Sequence, residues 1–217
     1  MLKIYIINVR GGIHMNPTLL VIATNNVAKI KEYRNVFDSD LNSRIVLKSL
    51  SDMGVESDPE ERDNSYEDNA FIKAKAAWNL LKVSLFADDS GIEIDALGGA
   101  PGMHTKRFCA PENAVATIME KMKDVPYAQR TAKLVCAVCC VDHLGRYWIF
   151  KEEVPGRIVS SIDERYNNPC WPYNVFTPYD FPLENQSLAT IPESGISKYS
   201  HRGRAARHLA LKIMDEN

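Results

Sequence analysis

The sequence predicts an α/β fold, and three observations carry that expectation. Apolar runs of strand length alternate along the chain with segments whose apolar residues recur at helical spacing. The first run, Thr18–Thr24, is continuously apolar, the pattern of a strand buried on both faces. A central run, Leu85-Phe86-Ala87, ends abruptly in two adjacent carboxylates, Asp88 and Asp89, so charge is delivered to a sheet edge.

The 217 residues allow one large domain or two small lobes with a substantial core. With 45% hydrophobic residues, 25% charged residues and a formal net charge of −2, the composition is that of an ordinary soluble globular protein. That balance gives no case for non-specific nucleic-acid binding. An anionic ligand has to be held by a local cluster of Lys and Arg. No apolar stretch is long enough to span a bilayer. The cysteines are Cys109, Cys136, Cys139, Cys140 and Cys170. Cys136-x-x-Cys139 has the spacing of a redox or metal pair, but there is no second pair at zinc spacing and no neighbouring His doublet. Buried thiols in a strand fit better, and reduced cysteines fit a cytoplasmic protein.

Residues 1–16 read as an N-terminal extension, either an added edge strand or a disordered leader, with Met15 as an alternative start. The short apolar run there lacks a clear small-residue cleavage site. After the Thr18–Thr24 strand, Asn25-Asn26 breaks the run, and Ile30, Tyr33, Val36 and Phe37 recur at helical spacing. Asn25 or Asn26 is the natural N-cap. A helix N-terminus with free N–H groups suits phosphate. Lys29 lies in that first turn, where the helix dipole disfavours a cation; it is either a solvated lysine or the partner of an anion.

Ile45–Leu50 predicts a second strand. Ser57–Asn64 is an acidic loop holding Glu60 and Glu61. Ser65-x-x-Asp68 resembles a capping box, and Ala70, Ala74, Ala77, Trp78 and Leu81 form the buried stripe of the helix it opens. Asn69 and Lys73 are four apart and share a face next to Asp68. Acid, amide and ammonium together could hold a metal and phosphate oxygens, or form a surface ion pair. In the central stretch, Ser90-Gly91 reads as a tight turn, Ile92–Leu97 as a short second strand and Gly98–Gly102 as a flexible loop. Adjacent strand residues point to opposite faces, so Asp88 and Asp89 cannot share one environment.

Val115, Ile118, Met119 and Met122 mark an amphipathic helix. Ala132–Val141 and Tyr147–Val154 are strands joined by the hairpin-like Asp142–Gly145, and Arg157–Ser161 extends the sheet. Tyr166–Tyr179 is rich in Pro, Asn and aromatics and reads as an ordered loop whose rings either stack on a base or plug the core edge. Ser200 is a candidate N-cap for a last helix striped by Ala206, Leu209, Ala210 and Ile213, with His201 and Arg202 in its first turn.

Several of these segments, taken in order, resemble one family. Thr24-Asn25-Asn26-Val27-Ala28-Lys29 is similar to its phosphate loop, and Ser65-Tyr66-Glu67-Asp68-Asn69-Ala70 with Lys73-Ala74 to its Thr-Phe-x-Glu-Asn-Ala-x-x-Lys-Ala. Leu85–Phe108 is close to the long Ala-Asp-Asp-Ser-Gly signature, and Ser200-His201-Arg202 to the C-terminal Ser-His-Arg. The chain is identified as a member of the inosine triphosphate pyrophosphatases, the HAM1-type nucleoside triphosphate pyrophosphatases. The resemblance implies an elongated mixed sheet flanked by helices, in one two-lobed domain over residues 17–217 with a cleft between the lobes. It implies a homodimer and Mg²⁺-dependent hydrolysis of ITP, dITP and XTP to the monophosphate and pyrophosphate. Asp89 becomes the general base and a metal ligand. Glu61 is the second carboxylate on the metal, with Glu60 as its rival. Thr24, Asn25, Asn26, Lys29, Asp68, Lys73 and Ser90 become phosphate-side groups, and Trp171, Tyr173, Asn174, His201 and Arg202 base-side groups.

The base side departs from the family. Its Gly-Gly-Phe-Gly-Tyr-Asp-Pro becomes Pro169-Cys170-Trp171-Pro172-Tyr173-Asn174-Val175. Pro172 fixes φ and removes an N–H donor where the family has glycine. Ile196 replaces a lysine, with Lys198 as a possible substitute. These departures leave open the same chemistry on another base, or a nucleotide-binding protein with little turnover.

Overall fold

The computed structural model describes residues 18–40, 45–62 and 64–215. The extension read over residues 1–16 lies outside them. The elements in order are β1 (Thr18–Ile22), α1 (Val27–Asp40), β2 (Ile45–Ser49), α2 (Tyr66–Leu81), β3 (Leu85–Ile94), β4 (Pro101–Gly102), α3 (Ala114–Met122), β5 (Thr131–Val141), β6 (Tyr147–Ile158), α4 (Pro172–Val175), β7 (Phe176–Pro178), α5 (Glu193–Tyr199) and α6 (His201–Asp215).

One mixed sheet runs in the order β2-β1-β3-β5-β6-β7, with β4 paired to β3. The pairs β1–β2 and β1–β3 are parallel, and the pairs from β3 through β7 are antiparallel. The change of direction falls on β3, so the strand carrying both aspartates joins the two halves of the sheet. α/β alternation explains the parallel half, because each return to a parallel neighbour needs a crossover helix. The hairpin at Asp142–Gly145 makes the β5–β6 pair antiparallel, at the centre of the antiparallel half.

The β3 finding corrects the sequence reading. Ser90-Gly91 is not a turn. The strand continues unbroken through it, paired with β5 from Leu85 to Ile94. Gly91 is required by space instead: a Cβ there would lie 2.2 Å from the Gly102 carbonyl oxygen and 2.8 Å from Thr105 Oγ1 and Tyr66 Oη. The segment read as a short second strand is the end of β3 followed by a single 3-10 turn, Asp95–Leu97. The loop read over Tyr166–Tyr179 is ordered and contains the four-residue α4 and the three-residue edge strand β7.

Among the described residues three apolar clusters form the core. On one face of the sheet, Phe86, Cys136 and Val138 pack under α1 and α6, with Tyr33, Phe37 and Leu209. Further along the same face, Ile92, Ile94 and Leu134 pack with Ile118, Tyr173, Phe176 and Ile196. On the opposite face, Leu85, Ala87, Val135 and Ala137 pack against Ala70, Ala74 and Ala77 of α2. Each large buried side chain contributes about 1.5–3 kcal/mol. All five cysteines are free, and Cys136, Cys139 and Cys140 are buried in β5. Burial pushes the Cys139 thiol up to about 12, which keeps it protonated and inert. Among the described residues no helix is long and apolar enough to cross a membrane.

Candidate active site

The two clusters on the α1/α6 face do not meet. Asp88 and Ser90 lie between them, on the strand face set by alternation from Phe86 to Ile92. Asp89 points the other way, to α2. The alternation rule therefore builds two polar sites back to back on one strand.

On the α2 side, Asp89 is 7% exposed. Its Oδ1 accepts from Lys73 Nζ at 2.8 Å and its Oδ2 from Asn69 Nδ2 at 3.2 Å. Lys73 also reaches Glu61 Oε1 at 3.2 Å, and Glu61 Oε2 lies 3.5 Å from Arg107 Nη2. Burial opposes the Lys73 charge, but Asp89, Asp88 and Glu61 outweigh it and hold the ammonium above its ordinary pKa. The Asn69 amide oxygen is buried with no hydrogen-bond partner among the described residues. Ser65 starts α2 by accepting from Asp68 N–H at 3.0 Å, which fixes the helix register that brings Asn69 and Lys73 to Asp89. Asp68 is left exposed, because adjacent helix residues are rotated by about 100°. Glu60 is exposed as well, so Glu61 is the loop acid that converges with Asp89.

On the opposite side, Asp88 is 2% exposed. Its Oδ2 lies 2.9 Å from Lys29 Nζ and 3.7 Å from Arg202 Nε. Burial alone would raise the Asp88 carboxyl, but Lys29 and then Arg202 pull it below its ordinary value. An anion therefore stands beside Lys29, as its place at the helix start requires, and it comes from the protein itself. The turn before α1 is built by side chains: Asn26 N–H donates to Thr24 Oγ1 at 3.2 Å, and Asn26 Oδ1 accepts from Ala28 and Lys29 N–H at 3.0 and 3.2 Å. Asn26 is thus the cap, and Asn25 is exposed.

Arg202 is buried in the same seam. Its Nη1 donates to Glu32 Oε2 at 3.1 Å and lies 3.3 Å from Tyr173 Oη and 3.4 Å from Cys170 Sγ. Its Nη2 donates to Ser90 Oγ at 3.1 Å. Glu32 also accepts from Tyr173 Oη at 2.8 Å and from the Ser200 hydroxyl. Ser200 caps α6 by accepting from Gly203 N–H at 3.0 Å. Burial works against the Arg202 charge, and its acceptors more than restore it. His201 is 1% exposed and edge-on to Tyr173. Burial, with Arg202 and Lys29 nearby, drives its pKa well down, so the imidazole is neutral.

Glu32 is the residue that sequence reasoning missed. It sits among charged residues on α1 and reads as solvated, yet it is only 8% exposed. The usable signal was its spacing: Glu32 is three residues after Lys29, on the same helix face. On the base side, Trp171 is half-buried, with its indole N–H on the Thr105 carbonyl at 3.2 Å and its ring stacked with Phe108. Asn174 is held differently. Its Oδ1 accepts from Asn168 N–H at 2.7 Å and its Nδ2 donates to the Asn168 carbonyl at 2.9 Å, so the amide closes the loop. Ile196 is buried in the core, and Lys198 is exposed with its ammonium over the Tyr199 ring.

The fold and these paired sites define an α/β protein with carboxylates and cations gathered at the middle of one strand, the chemistry that handles a polyanion. The chain belongs to the Ham1 family, whose model matches residues 20–212. It is 33% identical over 206 residues to the dITP/XTP pyrophosphatase of Dictyoglomus thermophilum, covering 91% of this chain and 95% of the relative. It is 33% identical to the enzyme of the same name from Pseudomonas syringae, over 88% of this chain and 94% of that one. The Ham1 protein of Staphylococcus aureus superposes with a TM-score of 0.74 at 25% identity, covering 92% of this chain and 100% of that one.

Proposed function

We propose that this chain is a nucleoside triphosphate pyrophosphatase that acts on deaminated purine nucleotides such as dITP and XTP, releasing the monophosphate and pyrophosphate. The observation that carries the reading is the convergence of Asp89, Glu61, Asn69 and Lys73 on the α2 side of β3. Similarity to relatives named dITP/XTP pyrophosphatases supports the substrate class.

Water must attack the α-phosphorus of a highly anionic ligand. Asp89 is oriented by Lys73 and Asn69 and can take the proton from that water. Lys73, from one side of the strand, and Lys29 with the α1 N-terminus, from the other, neutralise phosphate oxygens. Asp89 and Glu61 offer carboxylate oxygens, and Asn69 adds an unpartnered buried amide oxygen. That all-oxygen set fits a hard divalent cation such as Mg²⁺. Such a cation would supply phosphate neutralisation and a more acidic water when bound. Arg202 and neutral His201 lie beside the Trp171 loop and provide fixed donors for a 6-oxo group, where adenine offers an amine. The same reading includes a homodimer, checked by light scattering.

One observation favours a shifted base preference within this chemistry. Asn174 stands where the family has an acid and spends both its amide atoms on Asn168, while Ile196 puts a buried methyl-bearing side chain where the family has an ammonium. The test is pyrophosphate release with Mg²⁺ from dITP and XTP against dATP, dGTP and pyrimidine triphosphates. Preference for the first pair supports the reading. Release mainly from other nucleotides supports the shifted preference. Binding without release from any nucleotide overturns both.

A further inference from the structure

Lys29, Asp88, Arg202 and Glu32 form a closed chain of alternating charge. Lys29 meets Asp88 at 2.9 Å, Asp88 meets Arg202 at 3.7 Å, and Arg202 meets Glu32 at 3.1 Å. Lys29 and Glu32 close the ring through α1, where they are three residues apart. Three elements, α1, β3 and α6, supply its corners. Asp88 and Glu32 are each less than a tenth exposed, so neither charge can be satisfied by bulk water.

The ring spans the seam between the two apolar clusters on this face. Lys29 belongs to the capped turn at the start of α1. Arg202 belongs to the other half, against Tyr173 and Cys170 of the segment that carries Trp171. Among the described residues Asp88 is the carboxylate paired with both cations. Its Oδ2 is shared between them, and its Oδ1 is buried without a partner among the described residues. A carboxylate with one shared oxygen cannot hold both cations tightly in independent positions. Movement of the Arg202 guanidinium changes the field at Lys29, and the reverse.

We propose that Asp88 is a positioning residue that couples the base-side arginine, Arg202, to the phosphate-side lysine, Lys29, so that a fitting base tightens the grip on the phosphates. This rests on the proposed function for the sides assigned to the two cations. It gives the first aspartate of the pair a task distinct from that of Asp89. Because coupling between sites is reciprocal, each cation should be felt at the other's end.

The test reads binding calorimetry with two kinds of ligand in Mg²⁺. Inorganic tripolyphosphate has no base. The α,β-methylene analogues of dITP and dATP differ only in the base and are not hydrolysed. Arg202→Lys keeps the charge but loses the planar fork. It is expected to weaken tripolyphosphate by about 5-fold or more, although that ligand carries nothing for Arg202 to read. Lys29→Met is expected to lower the dITP-to-dATP affinity ratio by a similar factor, although Lys29 touches no base. That ratio is blind to a general loosening of the fold. Asp88→Asn is expected to abolish both cross-effects.

If tripolyphosphate affinity is unchanged in Arg202→Lys and the base ratio is unchanged in Lys29→Met, the coupling is overturned. The same holds if both cross-effects persist in a folded Asp88→Asn protein. Should Asp88→Asn fail to fold, the reciprocal pair still decides the matter. The functional reading fails separately: wild-type protein that binds the dITP analogue yet releases no pyrophosphate from dITP sinks the pyrophosphatase assignment and leaves the binding cross-effects readable.

Discussion

Asp89 is held by one lysine and one amide, so both its oxygens are oriented while the carboxylate keeps a small opening to the site. Asparagine has the same shape and still accepts from Lys73, but it cannot take a proton. Asp89→Asn should therefore lower pyrophosphate release by about 10²–10⁴-fold while circular dichroism and the melting curve stay those of a folded protein. Wild-type turnover in that variant would remove Asp89 as the base. Gly91 makes an opposite kind of demand, since it does nothing chemical and is required by contact alone. Gly91→Ala drives a methyl group toward the Gly102 carbonyl and the hydroxyls of Thr105 and Tyr66. The expected cost is about 1–3 kcal/mol in urea unfolding, with the same slope. An unchanged midpoint would mean that the glycine loop gives way freely.

Two helix starts set the site at the scale of elements. α2 begins at Ser65, whose hydroxyl accepts from Asp68 N–H at an exposed position. Ser65→Ala should cost about 1 kcal/mol of stability, read by chemical unfolding, without changing which face carries Asn69 and Lys73. α6 begins with buried His201, where burial and two cations keep the ring neutral and the helix dipole adds to the penalty for charging it. The folded pKa is depressed below the ordinary 6.5, so the unfolded chain binds the proton first. Stability is then fully present above about pH 6.5 and falls on acidification, by up to about 1.4 kcal/mol per pH unit. Asp88 is depressed too, so its contribution is present above the ordinary 3.8 and is lost only in stronger acid. A melting series from pH 7.5 to about pH 5 should show the first loss, and His201→Gln should flatten it. A flat wild-type profile would show that the buried ring takes up its proton over the same pH range in the fold as in the unfolded chain.

For the whole molecule, the apolar clusters stand on helices and sheet, and among the described residues no group of three or more His, Cys, Asp or Glu side chains is placed to hold a metal ion within them. Chelation should therefore abolish turnover while moving the melting temperature by only a few degrees, and added Mg²⁺ should restore activity. Unfolding on chelation would instead place the cation in the structural core. The polar seam divides the apolar core on the α1/α6 face and lies where the sheet changes from parallel to antiparallel. A ligand bound at that level touches elements from both sides of the seam, and this gives the Asp88 ring its reach.

The sequence by itself determined the class of fold and most of the longer strands and helices, and it named the residues from which the candidate site is built. Alternation alone separated Asp88 from Asp89, helical spacing alone put Asn69 and Lys73 on one face, and side-chain chemistry alone pointed to caps at Ser65, at Ser200 and at Asn25 or Asn26. These are local properties, decided within one or two turns of chain. Only the tertiary structure decided what lies opposite each group. It showed that Gly91 is a contact and not a turn, because the Gly102 carbonyl that forbids a Cβ comes from a paired strand. It turned Glu32 from a surface acid into the buried anchor of Arg202, because its partners Tyr173, Ser200 and Arg202 come from α4 and the start of α6. It gave Asn174 to the Asn168 backbone and Ile196 to the core. The Asn174–Asn168 bonds close within one loop, but the others depend on residues far apart in the chain meeting in the fold, and no local pattern encodes that meeting.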